Sequence, residues 1–440
     1  MFATLWPARI LGPAPGLKEI NLAAWAIVLA VLATRFLFPV WIQYKAGLIS
    51  LPLQPNDFVY FYGIGHIAKD YPAASLYDFD VQMKAFNAVY SSPDHVYGPT
   101  PYPPFVGLFF SMFARLSFPA AFFLWAACSL MLYVGGIALA ARDGWMGEGA
   151  RLSLLVCFSL AFYPYFWGIL VNGQISTIAV FSVGLAVFEE RRSRPYRSGL
   201  ALAILGYKPT LLLLLVPMLL LTRRWKTLSG LMSGGAVLAL VSTTMGGLAI
   251  WPTYARFVAL FGRAHGLEGH RTMHLFQYID VASCMQAMEG VNPALGKAIL
   301  APVAGLILLA LAVLLWKSTR SGAPAQALAW AATLTWTLLL NVYVPMYDAV
   351  LVAVTVALTL GAVKALAWDG ALKGAIIGSL AIFAVSWISL PVAMKHGVQW
   401  LSIALALLGL FQLYLLFRAC QAHAVLAGPA GGCETAPAKS

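Results

Sequence analysis

Beyond residue 225 the chain repeats one pattern, an apolar run about as long as a hydrocarbon layer is thick, followed by a short loop that often carries lysine or arginine. About 30 Å of hydrocarbon takes about 20 helical residues, and runs of that order cover 227–247, 298–316, 325–340, 349–363, 374–390 and 398–417. With no water at that depth, each backbone N–H and C=O must be paired inside the segment, so the runs are predicted to be helices. Composition agrees: 61% of the 440 residues are hydrophobic and 10% are charged, against about a quarter charged in soluble domains. The fold class is all-α, a polytopic membrane protein with about 11–13 transmembrane or half-membrane helices.

The net charge of +12 does not argue for nucleic acid, because it lies mostly in short loops between apolar runs, as the positive-inside rule expects. Arg191, Arg192, Arg194 and Arg197, then Arg223, Arg224 and Lys226, then Lys317 and Arg320, then Lys364 and Lys373, then Arg418, all vote for the cytoplasmic side. The run 21–40 follows Arg9 and Lys18 without a cleavage pattern of small residues, so it is read as an anchor helix with a cytoplasmic amino terminus. Residues 1–426 then form one membrane domain. A first outer loop covers 41–102, a later one covers 251–297, and 427–440 is a disordered cytoplasmic tail. Five cysteines show neither metal spacing nor a disulfide framework.

The first outer loop is patterned as two amphipathic helices, 58–69 and 79–91, lying flat on the outer membrane face. Between Tyr102, outside, and Glu190, inside, lie four apolar runs, 105–116, 120–141, 152–170 and 175–187. An even number of crossings cannot join opposite faces, so at least one run is short, broken or re-entrant. The candidates are the first run and the break at YPYFWG near Pro164. The run 198–221 has cationic flanks at both ends and Tyr207, Lys208 and Pro209 near its middle, which suggests two half-length helices meeting at a lysine. Irregular backbone at that depth is tolerated only where it lines a protein-enclosed or watered cavity.

Three groups of residues carry candidate chemistry. Asp57, beside Asn56 and ahead of Tyr60 and Tyr62, is either the N-cap of the helix that starts at Phe58 or a catalytic base. Lys208 either snorkels to an interface or faces an anion, and the anion expected in a lipid-exposed cavity is the phosphate of a lipid carrier. Asn172, Gly173 and Gln174 offer a turn with free backbone N–H groups and side-chain amides for that anion or for sugar hydroxyls. In the later outer loop, Arg271 and His274 are either solvated or complete a phosphate clamp. Tyr347 and Asp348, in NVYVPMYD, are interfacial residues or part of the site, with Asp348 unpaired in sequence. Asp78 and Asp80 spell DxD, which invites a metal–nucleotide reading, but they stand at a helix start and capping is favoured.

The order NDFVYFY and LYDFD, YPPFVGLFFSMFARLSFPAAFFLW, NGQISTIAVFSVGLAVFEERR, then RSGLALAILGYKPTLLLLLVPMLLLTRRWK resembles glycosyltransferase family 87. The resemblance covers roughly residues 53–226, with a looser match at 343–348. It implies a C-type glycosyltransferase architecture and a polyprenyl-phosphate-linked donor, probed first as mannose. It further implies a lipid or glycan acceptor and inversion on the outer face of a bacterial inner membrane, with neither metal nor cofactor. The family's aspartate in the first outer loop maps onto Asp57, and its lysine before proline onto Lys208. The remaining expected site residues are read from the chain itself: Arg271 and His274 for donor phosphate, and Asn56, Tyr62, Asn172, Gln174, Tyr347 and Asp348 for substrate. The family's late motif often carries histidine where this chain reads PMYD. A lipid-linked glycan flippase would share the span pattern but would usually show internal repeats, and none is convincing here. An O-antigen polymerase or ligase would place its functional loop late in the chain.

Overall fold

A computed structural model describes residues 16–34, 45, 56–89, 98–142, 144–147, 149–264, 275–287 and 293–426. It is all helical, and the described residues contain no strand beyond an isolated bridge between Tyr278 and Pro345. The chain is a multi-pass membrane protein. Six described helices are long and apolar enough to cross a membrane, or seven if a pair bent by 68° is one span.

In chain order, α1 is Leu17–Leu32, α2 Phe58–Asp70, α3 Phe79–Val89, α4 Pro104–Ser111, α5 Phe118–Ala141, α6 Gly149–Leu160 and α7 Thr177–Arg191. Then come α8 Pro195–Ala203, α9 Leu215–Leu221, α10 Trp225–Gly246, α11 Ile250–Ala264, α12 Val281–Ala287, α13 Pro293–Ser318, α14 Ala323–Leu339, α15 Val352–Ala365, α16 Asp369–His396 and α17 Trp400–Leu426. Buried on nearly every side, α15 forms the centre of the bundle.

Contacts at the helix ends resolve the parity problem. The guanidinium of Arg191, at the end of α7, donates to the carbonyls of Ala140 (2.7 Å) and Arg142 (2.9 Å), at the end of α5. At the start of α7 the Thr177 hydroxyl meets that of Ser129, half-way along α5, at 3.3 Å, and just before it the Gly173 carbonyl accepts the indole N–H of Trp125, nearer the start of α5, at 3.1 Å. Thus α5 and α7 run parallel, and the connection between them climbs back along their length. That connection is α6 followed, after a 68° bend, by a π-helical segment, Pro164–Val171. Three traverses join the two faces, and α4 is the run that does not cross. It stays at the Trp125 end, with Phe110 packed on Phe58, Phe61 and Trp125. The break before Pro164 leaves backbone groups that α16 satisfies: the Trp387 indole donates to the Ala161 carbonyl (2.8 Å), and the Tyr163 N–H donates to the Ser386 hydroxyl (3.3 Å).

Residues 195–224 form a re-entrant hairpin. At its base Arg194 and Arg224 meet Glu189 and Glu190 at 3.8 and 3.0 Å, at the end of α7. The half-helices α8 and α9 are joined through two 3-10 turns, Ile204–Tyr207 and Pro209–Leu212, with Lys208 between them in extended backbone (φ −138°, ψ 78°). Its tip reaches the start of α7, about 22 Å from the base at 1.5 Å per residue. Small residues permit this packing: a Cβ on Gly199 would lie 1.9 Å from the Thr227 carbonyl oxygen, and one on Gly234 would lie 2.4 Å from the Ala203 Cβ.

The basic ends collect on one face. Arg223 and Arg224 stack over Trp316 and Trp330, Arg418 over Trp368, and Cys420 lies beside Ser321 and Lys317. One expectation is corrected. The helix α2 is not a surface helix with one face in water, because Phe58, Val59, Phe61, Tyr62, Ile64 and Ile67 are all buried. Gly63 and Gly65 admit Phe86 and the backbone of Phe110 to within 2.4 Å of where a Cβ would stand. Its partner α3 keeps the expected amphipathic character, burying Gln82 and Phe86 while Phe79 is exposed. Asp78 caps α3 by accepting from the Asp80 and Val81 N–H groups at 3.0 and 3.1 Å.

Replacing Gly199 with alanine is expected to lower the melting temperature of the detergent-solubilised protein, by about 1–3 kcal/mol of overpacking. Gly235→Ala, where an added Cβ meets nothing within 4 Å, should be neutral or slightly stabilising, and equal effects of the two would refute the packing account.

Candidate active site

The site is built where three breaks in regular structure meet at the end of the bundle away from the basic face. The first is the turn 172–174 after the π-helical segment. The left-handed backbone of Gly173 (φ 73°) brings the position of a Cβ within 2.7 Å of the Phe58 Cβ, so only glycine fits. The Asn172 carbonyl accepts the Phe58 N–H at 2.9 Å, which docks the turn on the start of α2. The expected free backbone donors are absent: the N–H groups of Asn172, Gly173 and Gln174 go to the carbonyls of Trp167, Ile169 and Gly168 at 2.9–3.1 Å. What the turn does offer is the Gln174 side chain, whose amide donates to the Asp57 carboxylate at 2.8 Å.

Asp57 stands at the N-cap position of α2 but does not cap it. Its backbone is α-helical (φ −64°, ψ −14°) and its carboxylate makes no cap hydrogen bond, whereas a capping residue has extended dihedrals. The side chain is turned instead toward Gln174. Next to it in the chain Asn56 is buried, and neither amide atom has a hydrogen-bond partner among the described residues. Gln174 Oε1 is likewise buried without a partner.

The second break is the hairpin tip and the third is the turn after Pro345. The Lys208 ammonium and the Asp348 carboxylate form an ion pair, with side-chain exposures of 16% and 0%. The Ser176 hydroxyl donates to the other Asp348 oxygen at 2.6 Å. Lys208 also sits 5.1 Å from the centre of the Tyr347 ring, and Gly168 leaves room for that ring, since a Cβ there would lie 2.4 Å from the Tyr347 Cβ. An unbroken path therefore runs from Asp57 through Gln174 and, two residues on, Ser176 to Asp348 and Lys208.

Several residues that the sequence did not single out support this arrangement. Tyr102 feels both carboxylates: burial raises its hydroxyl above the usual tyrosine range, and Asp348 and then Asp57 raise it further. Asp280, fully buried, accepts from the N–H groups of Ser283 (2.8 Å) and Val344 (2.9 Å), while the Ile279 N–H donates to the Val344 carbonyl (2.9 Å). The later outer loop is thereby stitched to the chain just ahead of Tyr347. Hydropathy gives no sign of this, because an aspartate in a polar stretch reads as solvated and its burial depends on two backbone partners supplied by packing.

Of the expected site residues, Asp57, Asn56, Gln174, Lys208, Tyr347 and Asp348 come together here. Asn172 contributes its backbone. Tyr62 is used elsewhere, its hydroxyl donating to the Leu116 carbonyl at 2.7 Å and its ring packed on His66 and Phe118. Arg271 and His274 lie outside the described residues.

Two measurements test this geometry. Asp348→Asn should cost about 3–5 kcal/mol of stability by leaving a buried ammonium uncompensated. Adding Lys208→Met should recover part of that loss, and strictly additive losses would show that the two side chains are not coupled. Burial, then the charge of Asp57, pushes the Tyr60 hydroxyl up to about 12, with the Gly98 N–H pulling it back. The folded state thus favours neutral Tyr60: this contribution is intact below pH 10 and disappears as the pH rises from 10 through 12. The stability difference between wild type and Tyr60→Phe should change across that window and stay flat below it.

A family model for glycosyltransferase family 87 matches residues 100–345, more than half of the chain. The match includes the 172–174 turn and Lys208, and leaves Asp57, Tyr347 and Asp348 outside its limits. Comparison with curated proteins and with solved structures finds no match. The chain is a membrane protein that belongs to glycosyltransferase family 87.

Proposed function

We propose that this protein moves a hexose, taken to be mannose, from a polyprenyl-phosphate-linked donor to a lipid or glycan acceptor, with inversion. The reading adopts a C-type architecture, a bacterial inner membrane and a site that opens to the periplasm. What carries it is one observation: a carboxylate oriented by the Gln174 amide and an ammonium paired with the carboxylate that Ser176 binds are brought together by one short stretch of chain, 174–176, at the end of the bundle away from the basic face.

The reaction is a single displacement. Asp57 accepts the proton of the acceptor hydroxyl as that oxygen forms a bond to the anomeric carbon. The bond from that carbon to the phosphate oxygen breaks, and its electron pair leaves with the lipid phosphate. The Gln174 amide keeps the carboxylate aimed by donating to it. Lys208 answers the charge on the leaving phosphate. Its ammonium has three N–H donors, and Asp348 occupies one, so two remain for phosphate oxygens. In this reading Asp348 is a positioning residue: it is fully buried, touches Lys208 and Ser176, and holds the ammonium at depth without exposing an unpaired charge. Tyr347 flanks the same ammonium and forms a wall of the donor site. Arg271 and His274 remain proposed as further phosphate ligands.

Purified protein supplied with labelled polyprenyl-phosphate-mannose and a membrane extract as acceptor source should release polyprenyl phosphate. Asp57→Asn keeps the shape and the Gln174 contact but removes the base, and should lower turnover by about 10²–10⁴-fold. Lys208→Met should lower turnover while Lys208→Arg retains part of it. Full turnover by either Asp57→Asn or Lys208→Met removes that residue from the mechanism.

A further inference from the structure

The unpartnered amides around Asp57 say what kind of group this half of the site takes. Buried polar side-chain atoms almost always have a hydrogen-bond partner, so each exception marks something missing. Three such atoms fall together here: both amide atoms of Asn56, which is 93% buried by its 7% exposure, and the Oε1 of Gln174, which is 6% exposed. Asn56 precedes Asp57 in the chain and Gln174 donates to its carboxylate, so the three atoms belong to the two residues joined to Asp57, one through the backbone and one through a hydrogen bond.

We propose that Asn56 and Gln174 form a polyol subsite beside Asp57 that binds the hydroxyl-rich head of the acceptor, and that it excludes the donor phosphate, which is confined to the Lys208 side. This rests on the transferase reading above and assigns its two substrates to two chemically different halves of the site. The inventory of donors and acceptors decides it. An ionised Asp57, the Gln174 oxygen and the Asn56 oxygen are acceptors, while the Asn56 nitrogen supplies donors. A phosphate offers only acceptors and would face two amide oxygens and a carboxylate. A metal cation would meet the Gln174 N–H groups already turned to the carboxylate. Neighbouring hydroxyls both donate and accept: one can give its proton to Asp57 while the next donates to an amide oxygen and accepts from Asn56. The same contacts would leave the reacting hydroxyl hydrogen-bonded to the base before the donor arrives.

The test uses the full-length protein in lipid nanodiscs and two probes with the same tail, octyl α-D-mannopyranoside and octyl phosphate. Binding is followed by thermal shift, and the unliganded melting temperature checks the fold of each variant. Wild type should bind both probes. Asn56→Leu should raise the Kd for the mannoside about tenfold or more and leave that for octyl phosphate unchanged, while Lys208→Met should do the reverse. Asn56→Ala repeats the measurement should the leucine variant fail to fold. Wild type that ignores the mannoside, Asn56 variants that bind it normally or lose both probes alike, or loss of folding in both variants would overturn the proposal. Donor turnover separates the two readings: wild type that releases polyprenyl phosphate yet shows no Asn56 dependence loses only this inference, and wild type that releases none loses the transferase itself.

Discussion

An ammonium group cannot stay deep in an apolar bundle unless it finds a counter-charge, and the rest of this structure is arranged around the carboxylate that Lys208 finds. Asp348 is fully buried, so it depends on Lys208 as much as Lys208 depends on it. The pair ties the tip of a hairpin that enters from the basic face to the short turn that opens α15, 140 residues later in the chain. Ser176 on the second carboxylate oxygen brings in the start of α7 as a third element. Each of the three arrives with broken helix geometry, and the charge pair fixes how the breaks meet.

Breaks of this kind are tolerable only because their freed backbone groups are met from outside. Trp387 and Ser386 serve the interruption before Pro164, and the Asn341 amide donates to the Thr210 carbonyl at the hairpin tip at 2.8 Å. Glycines do the complementary work of letting elements approach: Gly199 against α10, Gly136 against Gly184, and Gly173 against Phe58. The irregular backbone is thus tied by hydrogen bonds and close packing to the helices around it, which is what positions a carboxylate and an ammonium at its breaks.

The two halves of the site differ in kind. Around Lys208 the chemistry is ionic and its charges are largely balanced before any ligand arrives. Around Asp57 it is a carboxylate among uncharged amides, and buried amide atoms there have no partner among the described residues. Under the proposed reading an anion and a polyol make opposite demands on a binding surface, and distinct sites for them would give each substrate a reason to bind in one orientation.

Much of this was legible in the chain itself. Run lengths and cationic loops gave the all-α membrane class, and the even count of apolar runs showed that one could not cross. Lys208 before Pro209 announced a break in the middle of a short run, and Asp78 announced its cap. Amphipathic spacing misled for α2, because Gly63 and Gly65 let neighbours cover the side that the pattern left for water. The Asn172–Gln174 turn was found, but its backbone donors were assigned to a ligand when the π-helical segment takes them. Asp348 read as unpaired because its partners, Lys208 and Ser176, are 140 and 172 residues away. Hydropathy and charge act over a helix length and are written locally, so the sequence alone determined the membrane class, the basic loops and where regular structure must fail. Which run stays on one face, which carboxylate meets the lysine and which amide meets Asp57 are contacts between distant segments, and only the packed bundle decided them.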